Sequence, residues 1–116
     1  MASSGVTLAF GTDAPVVPPA GTDVLFCAVA RQTPDTHEPA GGWYPQERPS
    51  MAQALRAYTA GGAAAVGRSH ELGTLGPGML ADFVVWDKDL LAMTAHEVQA
   101  ARPLATYVGG RKVFSA

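Results

Sequence analysis

Near its start the chain turns apolar for a short stretch: residues 6–10 read Val-Thr-Leu-Ala-Phe and stop at Gly11. The run does not alternate between apolar and polar, which suits a strand buried on both faces, as in a parallel sheet. Gly11-Thr12-Asp13-Ala14-Pro15 closes it, so Asp13 lies just past the C-terminal end of the predicted strand. Val16-Val17-Pro18-Pro19 is barred from helix, because a residue that precedes proline is pushed to extended geometry. Residues 23–31 then carry Val24, Leu25, Cys27 and Ala28 on one side and predict a short helix capped by Asp23. Residues 33–49 form a long loop rich in proline and glycine, with Trp43 and Tyr44 near its middle. A loop of that length inside a compact domain tends to be functional, and its two aromatics argue for order.

The strongest helix signal follows. Ser50 with Gln53 three residues later makes a capping box, and Met51, Ala54, Leu55 and Tyr58 recur at helical spacing to give one packing face. Gly61-Gly62 is expected to break this helix, with a second short one resuming at Ala63 and ending at Gly67. Beyond Gly67 the texture becomes glycine-punctuated and β-rich. Residues 72–75 read as a short extended piece, Gly76-Pro77-Gly78 as a turn and residues 81–86 as a strand. Thr94 with Glu97 repeats the capping box and opens a short helix that Pro103 stops. Residues 104–108 and 112–114 flank Gly109-Gly110, which permits the positive φ of a tight hairpin turn. The pattern predicts an antiparallel sheet over residues 72–114, and no internal repeat is present.

Composition narrows the function classes. The chain has 116 residues, is 47% apolar and only 16% charged, and carries a net charge of -2. Such a length fits one domain, and it suffices to bury roughly 65% of the unfolded surface. Lysines and arginines are scattered, so nucleic acid and anionic membrane are poor partners for this surface. No run approaches the ~20 apolar residues needed to span a bilayer, and no signal-peptide pattern stands at the start. The expected localisation is cytoplasmic. Thirteen glycines and nine prolines are clustered and read as turn punctuation. Cys27 is the single cysteine; among Leu25, Phe26, Ala28 and Val29 it reads as a buried apolar residue, with no base nearby to make it a nucleophile. The three histidines, His37, His70 and His96, read as solvated, and Asp82, after a glycine-rich turn, as a structural hydrogen-bond acceptor.

Several motifs in order resemble amidohydrolase family 3, a family of metal-dependent amidohydrolases. Gly5-Val6-Thr7-Leu8-Ala9-Phe10-Gly11-Thr12-Asp13-Ala14-Pro15 is similar to the family's eighth barrel strand and the turn after it. Arg31-Gln32-Thr33-Pro34-Asp35 and Gly41-Gly42-Trp43-Tyr44-Pro45 resemble the loop that follows, and Ala54-Leu55-Arg56-Ala57-Tyr58-Thr59 its closing helix. Gly73-Thr74-Leu75, the stretch from Gly76 to Val85 and Tyr107-Val108-Gly109-Gly110-Arg111-Lys112-Val113 resemble the return into a small β-sandwich.

The resemblance implies an α/β fold: residues 1–66 as the last strand and helix of a (β/α)8 barrel, and residues 67–116 as the C-terminal half of a composite β-sandwich. It implies hydrolysis of carbon–nitrogen bonds other than peptide bonds, with a divalent metal, zinc above all, and a small amide, urea or cyclic amide as substrate. Asp13 matches the aspartate that binds metal and moves protons, at the end of the barrel where such sites lie; Arg31 and Trp43 are candidate substrate contacts. The departures are large. Seven barrel strands have no counterpart, and no two histidines stand at i, i+2 or i, i+4, whereas zinc catalysis wants about three protein ligands. The expectation is a C-terminal fragment that is inactive by itself. Its alternatives are a subunit completed by a partner chain that supplies the histidines, and a non-catalytic binding or assembly module. Self-association through uncovered edges is a further expectation.

Overall fold

A computed structural model describes residues 4–116. The order is a helix α1 (Gly21–Ala30), a 3-10 turn (Pro45–Glu47), a helix α2 (Met51–Arg56) that runs through a π-helical turn (Ala57–Gly61) into α3 (Gly62–Ala65), a strand β1 (Phe83–Trp86), a 3-10 turn (Leu90–Ala92), a short helix α4 (Ala95–Val98), and the strands β2 (Pro103–Val108) and β3 (Arg111–Ser115). The strands form one antiparallel sheet in the order β1-β2-β3. This is the antiparallel sheet expected of the second half, though shorter: residues 72–75 turn instead of extending.

Local chemistry accounts for most boundaries. Ser50 accepts the Gln53 N–H through its hydroxyl while the Gln53 side chain accepts the Ser50 N–H at 2.8 Å. Thr94 and Glu97 make the same reciprocal pair. Gly109 and Gly110 have φ of 56° and 75°, the two left-handed residues that a two-residue hairpin demands between Val108 and Arg111. Asp82 is indeed a structural acceptor: its Oδ1 takes the Gly109 N–H at 2.6 Å and ties β1 to the hairpin turn.

Four expectations are corrected. Helix α1 starts two residues before Asp23; Ala20 is the N-cap and no side chain caps it, so Asp23 sits in the first turn as a favourable charge instead. Gly61-Gly62 does not break the helix. A Cβ on Gly61 would lie 1.9 Å from the Leu8 carbonyl oxygen, so this glycine serves a close approach of backbone to helix, and the π-helical turn carries the chain through. Residues 6–10 form neither strand nor helix and belong to no sheet; among the described residues their one N–H bonded to backbone is that of Phe10, to the Ala57 carbonyl at 3.1 Å. A ladder needs neighbouring strands, and none lies beside this segment among the described residues. Cys27 is exposed, not buried, because α1 turns Leu25, Phe26 and Ala30 inward and Cys27 away from them.

The core joins both halves of the chain. Leu25, Phe26 and Ala30 of α1 and Ala54 of α2 pack with Leu90, Val98 and Ala101, and Met51, Leu55 and Tyr58 lie against this cluster. At roughly 1.5–3 kcal/mol for each large side chain removed from water, Phe26, Leu25 and Val98 are its main anchors. The sheet contributes little to it, and Val84, Leu104, Val113 and Phe114 stay exposed.

Candidate active site around Asp13

Asp13 follows the apolar segment with φ of 57°, a left-handed conformation that aspartate tolerates better than most residues. A tight turn follows, in which the Val16 N–H donates to the Asp13 carbonyl at 2.9 Å, and the Ala14 N–H donates to the Thr12 hydroxyl at 3.3 Å. The Asp13 side chain is exposed. Neither His37, His70 nor His96 forms a ligand set with it: among the described residues no three His, Cys, Asp or Glu side chains converge as a metal site requires. The residues present therefore do not by themselves fit a zinc ion, which wants about three protein ligands.

Arg31 and Trp43, twelve residues apart, are brought together. Arg31 ends α1 with φ of 60°, its N–H donating to the Cys27 carbonyl. Its carbonyl accepts the Trp43 N–H at 2.8 Å, its Nε–H donates back to the Trp43 carbonyl at 3.0 Å, and its guanidinium lies 5.1 Å from the centre of the Trp43 ring. The clasp needs Gly42: with φ of 83°, a Cβ there would stand 2.3 Å from the Ala30 carbonyl oxygen. Arg48 donates to the Gly41 carbonyl and straps the far side of the loop. Trp43 and Tyr44 meet edge to face, with ring centres 4.8 Å apart and planes at 85°.

Two hollows flank this clasp. One, of about 390 Å³, is walled by Leu8, Phe10, Trp43 and Tyr44. The other, of about 470 Å³, runs along Gly11, Thr12, Val17 and Cys27. Both share Phe10, Ala28 and Arg31, so the two adjoin; Thr12, the neighbour of Asp13, lines the second, and the aromatic corner lines the first. Trp43 and Tyr44, weighed together as pocket lining from the sequence, both line the first hollow, whereas Phe10 is not singled out there. Leu8 and Phe10 stand two apart in a run that reads as a strand, which would put them on one face and is the one signal that could have found Phe10. Desolvation at the second hollow, and next the Asp23 carboxylate, hold the Cys27 thiol above its ordinary range, so it is a poor nucleophile.

The histidines are exposed as expected, but two of them are not isolated. His37 and His96 pack on Phe26 at 5.1 Å and 5.4 Å and on each other at 5.1 Å. Gln99 shares a hydrogen bond with the His37 ring at 3.1 Å and donates to the Pro34 carbonyl at 2.9 Å and to Asp23 at 3.2 Å. This cluster staples the long loop to α1 and α4, away from both hollows.

The profile of the amidohydrolase family matches residues 1–114. The chain belongs to the amidohydrolase family. Among curated proteins, this family member is 38% identical over 107 residues to "Protein LONG AFTER FAR-RED 3" of Arabidopsis thaliana, covering 92% of this chain and 18% of that protein. It is 32% identical over 111 residues to "N-substituted formamide deformylase" of Arthrobacter pascens, covering 95% of this chain and 20% of that protein. The chain thus spans about a fifth of the length of these relatives. Amidohydrolases are generally metal-dependent. No helix among the described residues is long and apolar enough to cross a membrane.

Proposed function

We propose that this chain is the C-terminal part of a metal-dependent hydrolase that cleaves carbon–nitrogen bonds other than peptide bonds, and that it is inactive until further chain completes the site. The observation that carries the reading is Asp13: an exposed carboxylate, held in a left-handed turn, just after an apolar segment that pairs with no strand among the described residues, within a chain matched by the amidohydrolase profile almost from end to end. In this reading residues 6–10 are the last barrel strand, residues 1–66 its closing βα unit, and residues 67–116 half of a sandwich. Further chain supplies the neighbouring strands and the histidine ligands, zinc being the metal the resemblance favours. The substrate is a small amide, urea or cyclic amide, and the deformylase named above directs attention to N-substituted formamides.

The residues of this chain then have limited, definable tasks. The Asp13 carboxylate takes a proton from the attacking water and returns it to the departing nitrogen, as a positioned general base and acid does. Arg31, which lines both hollows, and Trp43, in the aromatic corner of one of them, contact the substrate. The test is complementation. The chain is co-expressed with a polypeptide carrying the remainder of a family member, and hydrolysis of a small N-substituted formamide is followed. Activity is expected only from the pair, and Asp13→Asn is expected to lower it by about 10²–10⁴-fold. An active pair indifferent to Asp13→Asn, or a stable pair without activity, overturns the reading.

A non-catalytic binding module is the second reading, favoured by one observation. The buried cluster of Leu25, Phe26, Ala54, Leu90 and Val98 is drawn wholly from this chain, which supports a unit that folds without the rest of a barrel.

A further inference from the structure

Most of the groove walled by Leu8, Phe10, Trp43 and Tyr44 is apolar, yet it carries a cation, Arg31, whose guanidinium is only partly used. Arg31 spends its Nε–H on the Trp43 carbonyl, but its two terminal nitrogens have no hydrogen-bond partner among the described residues. A guanidinium fork is rigid, and its terminal N–H pair matches the two oxygens of a carboxylate. Hydrogen bonds to such a charged acceptor are roughly twice as strong as those to a neutral carbonyl. The fork is also fixed before any ligand arrives: the backbone of Arg31 is bonded to Cys27 and Trp43, and Gly42 lets the loop close on it. Pre-organisation of this kind removes an ordering cost from binding. Glu47, the acidic residue on the same wall, is held by an interaction of its own.

The apolar walls define the rest of the ligand. Trp43 and Tyr44 meet at 85° and form a corner, faced by Leu8, Phe10 and Ala28. Aromatic rings pack well into such corners by edge-to-face contact. The volume of about 390 Å³ lies within the range of small-molecule clefts, roughly 300–1,000 Å³. Trp43 and Tyr44 are 61% and 55% exposed, so two large rings stand open to solvent where burial against a ligand is favourable.

We propose that this groove binds the part of a substrate remote from the bond that is cut, and that this part is a flat apolar body ending in a carboxylate paired with Arg31. Only the word substrate rests on the hydrolase reading above; the binding itself needs neither Asp13 nor a metal.

The 116-residue chain is titrated with 3-phenylpropionate, and with the neutral 3-phenylpropanamide, while its amide and indole N–H signals are followed by heteronuclear NMR. The acid is expected to shift the Trp43 indole signal, assigned by its loss in Trp43→Phe, together with the Arg31 and Tyr44 amides. The neutral amide is expected to bind about tenfold more weakly, the size of one charge-assisted hydrogen bond. Arg31→Gln is expected to abolish that preference. Asp13→Asn is expected to leave it intact, so a failed hydrolase reading and a failed groove are told apart. If Arg31→Gln collapses the dispersed β2–β3 amide signals, Arg31→Lys carries the test, because a point charge without the fork must still lose part of the preference. Equal binding of acid and amide overturns the proposal. So do shifts confined to residues outside the groove, or no shift at all because a second copy of the chain or another segment already fills it.

Discussion

Gly61 shows how one missing atom holds an element in place. Exposed helix positions gain up to about 1 kcal/mol when glycine becomes alanine, whereas forcing extra volume into a packed contact costs about 1–3 kcal/mol. Here the added Cβ would meet the Leu8 carbonyl oxygen at 1.9 Å, so the packing term wins. Gly61→Ala is expected to lower the melting temperature and to loosen the Phe10 N–H bond to Ala57; a rise in melting temperature with unchanged Phe10 exchange would show that the segment does not rest there. Asp13 is the opposite case, an exposed carboxylate with no converging ligands among the described residues. We predict that zinc binds this chain weakly and that Asp13→Asn leaves its stability unchanged. Calorimetry giving sub-micromolar affinity that vanishes in Asp13→Asn would point to a complete site.

Helix ends are the elements whose energetics are simplest to test. Each of the two capping boxes satisfies an N-terminal N–H that the short helix behind it cannot. Ser50→Ala is expected to cost about 1 kcal/mol of stability. The Thr94 box adds a pH dependence. The backbone N–H of Thr94, and then its side-chain hydroxyl, hold the Glu97 carboxyl below the ordinary glutamate range. Its folded-state pKa is therefore depressed, so its contribution is complete above the unfolded value and is lost as pH falls through the folded one. Acid titration from roughly pH 5 to pH 3, read on the Ala95 and His96 amides, is expected to show α4 loosening. Glu97→Gln, which keeps the acceptor oxygen but cannot titrate, is expected to flatten that limb; an identical acid limb in the variant would assign the effect elsewhere.

For the molecule as a whole the question is what covers its open surfaces. From Val6 to Ala9 no backbone N–H is bonded to another backbone group among the described residues, and both faces of the three-stranded sheet expose apolar side chains such as Val85 and Phe114. Free edges and open apolar faces recruit other chains. The helix face of Met51, Leu55 and Tyr58 does not add to this surface, because it packs on α1 and the core. We expect concentration-dependent association in sedimentation velocity and rapid amide exchange over residues 6–9, both suppressed by the completing polypeptide. A monodisperse monomer at ~100 μM with protected amides in that stretch would favour the self-contained binding module.

Much of this was legible in the chain itself, because the signals act over a few residues. Ser50 and Gln53, Thr94 and Glu97, and Gly109-Gly110 between two β-rich runs each declare a helix start or a hairpin through groups at most three apart. The ordered motifs around Asp13, Trp43 and Tyr107 were enough to point to the amidohydrolase family. Other features needed the folded chain. Gly61 reads as a breaker until Leu8, 53 positions earlier, is seen pressed against it. His37 and His96 look unrelated until Phe26 and Gln99 gather them. Cys27 looks buried until α1 selects which side faces the core. Residues 6–10 have the composition of a buried strand, but a strand is defined by hydrogen bonds to neighbours, and a sequence cannot form those bonds with segments that are not beside it. Spacing encodes what lies within a turn of helix or hairpin; contacts between distant positions follow from the packing that excludes water from Leu25, Phe26 and Val98.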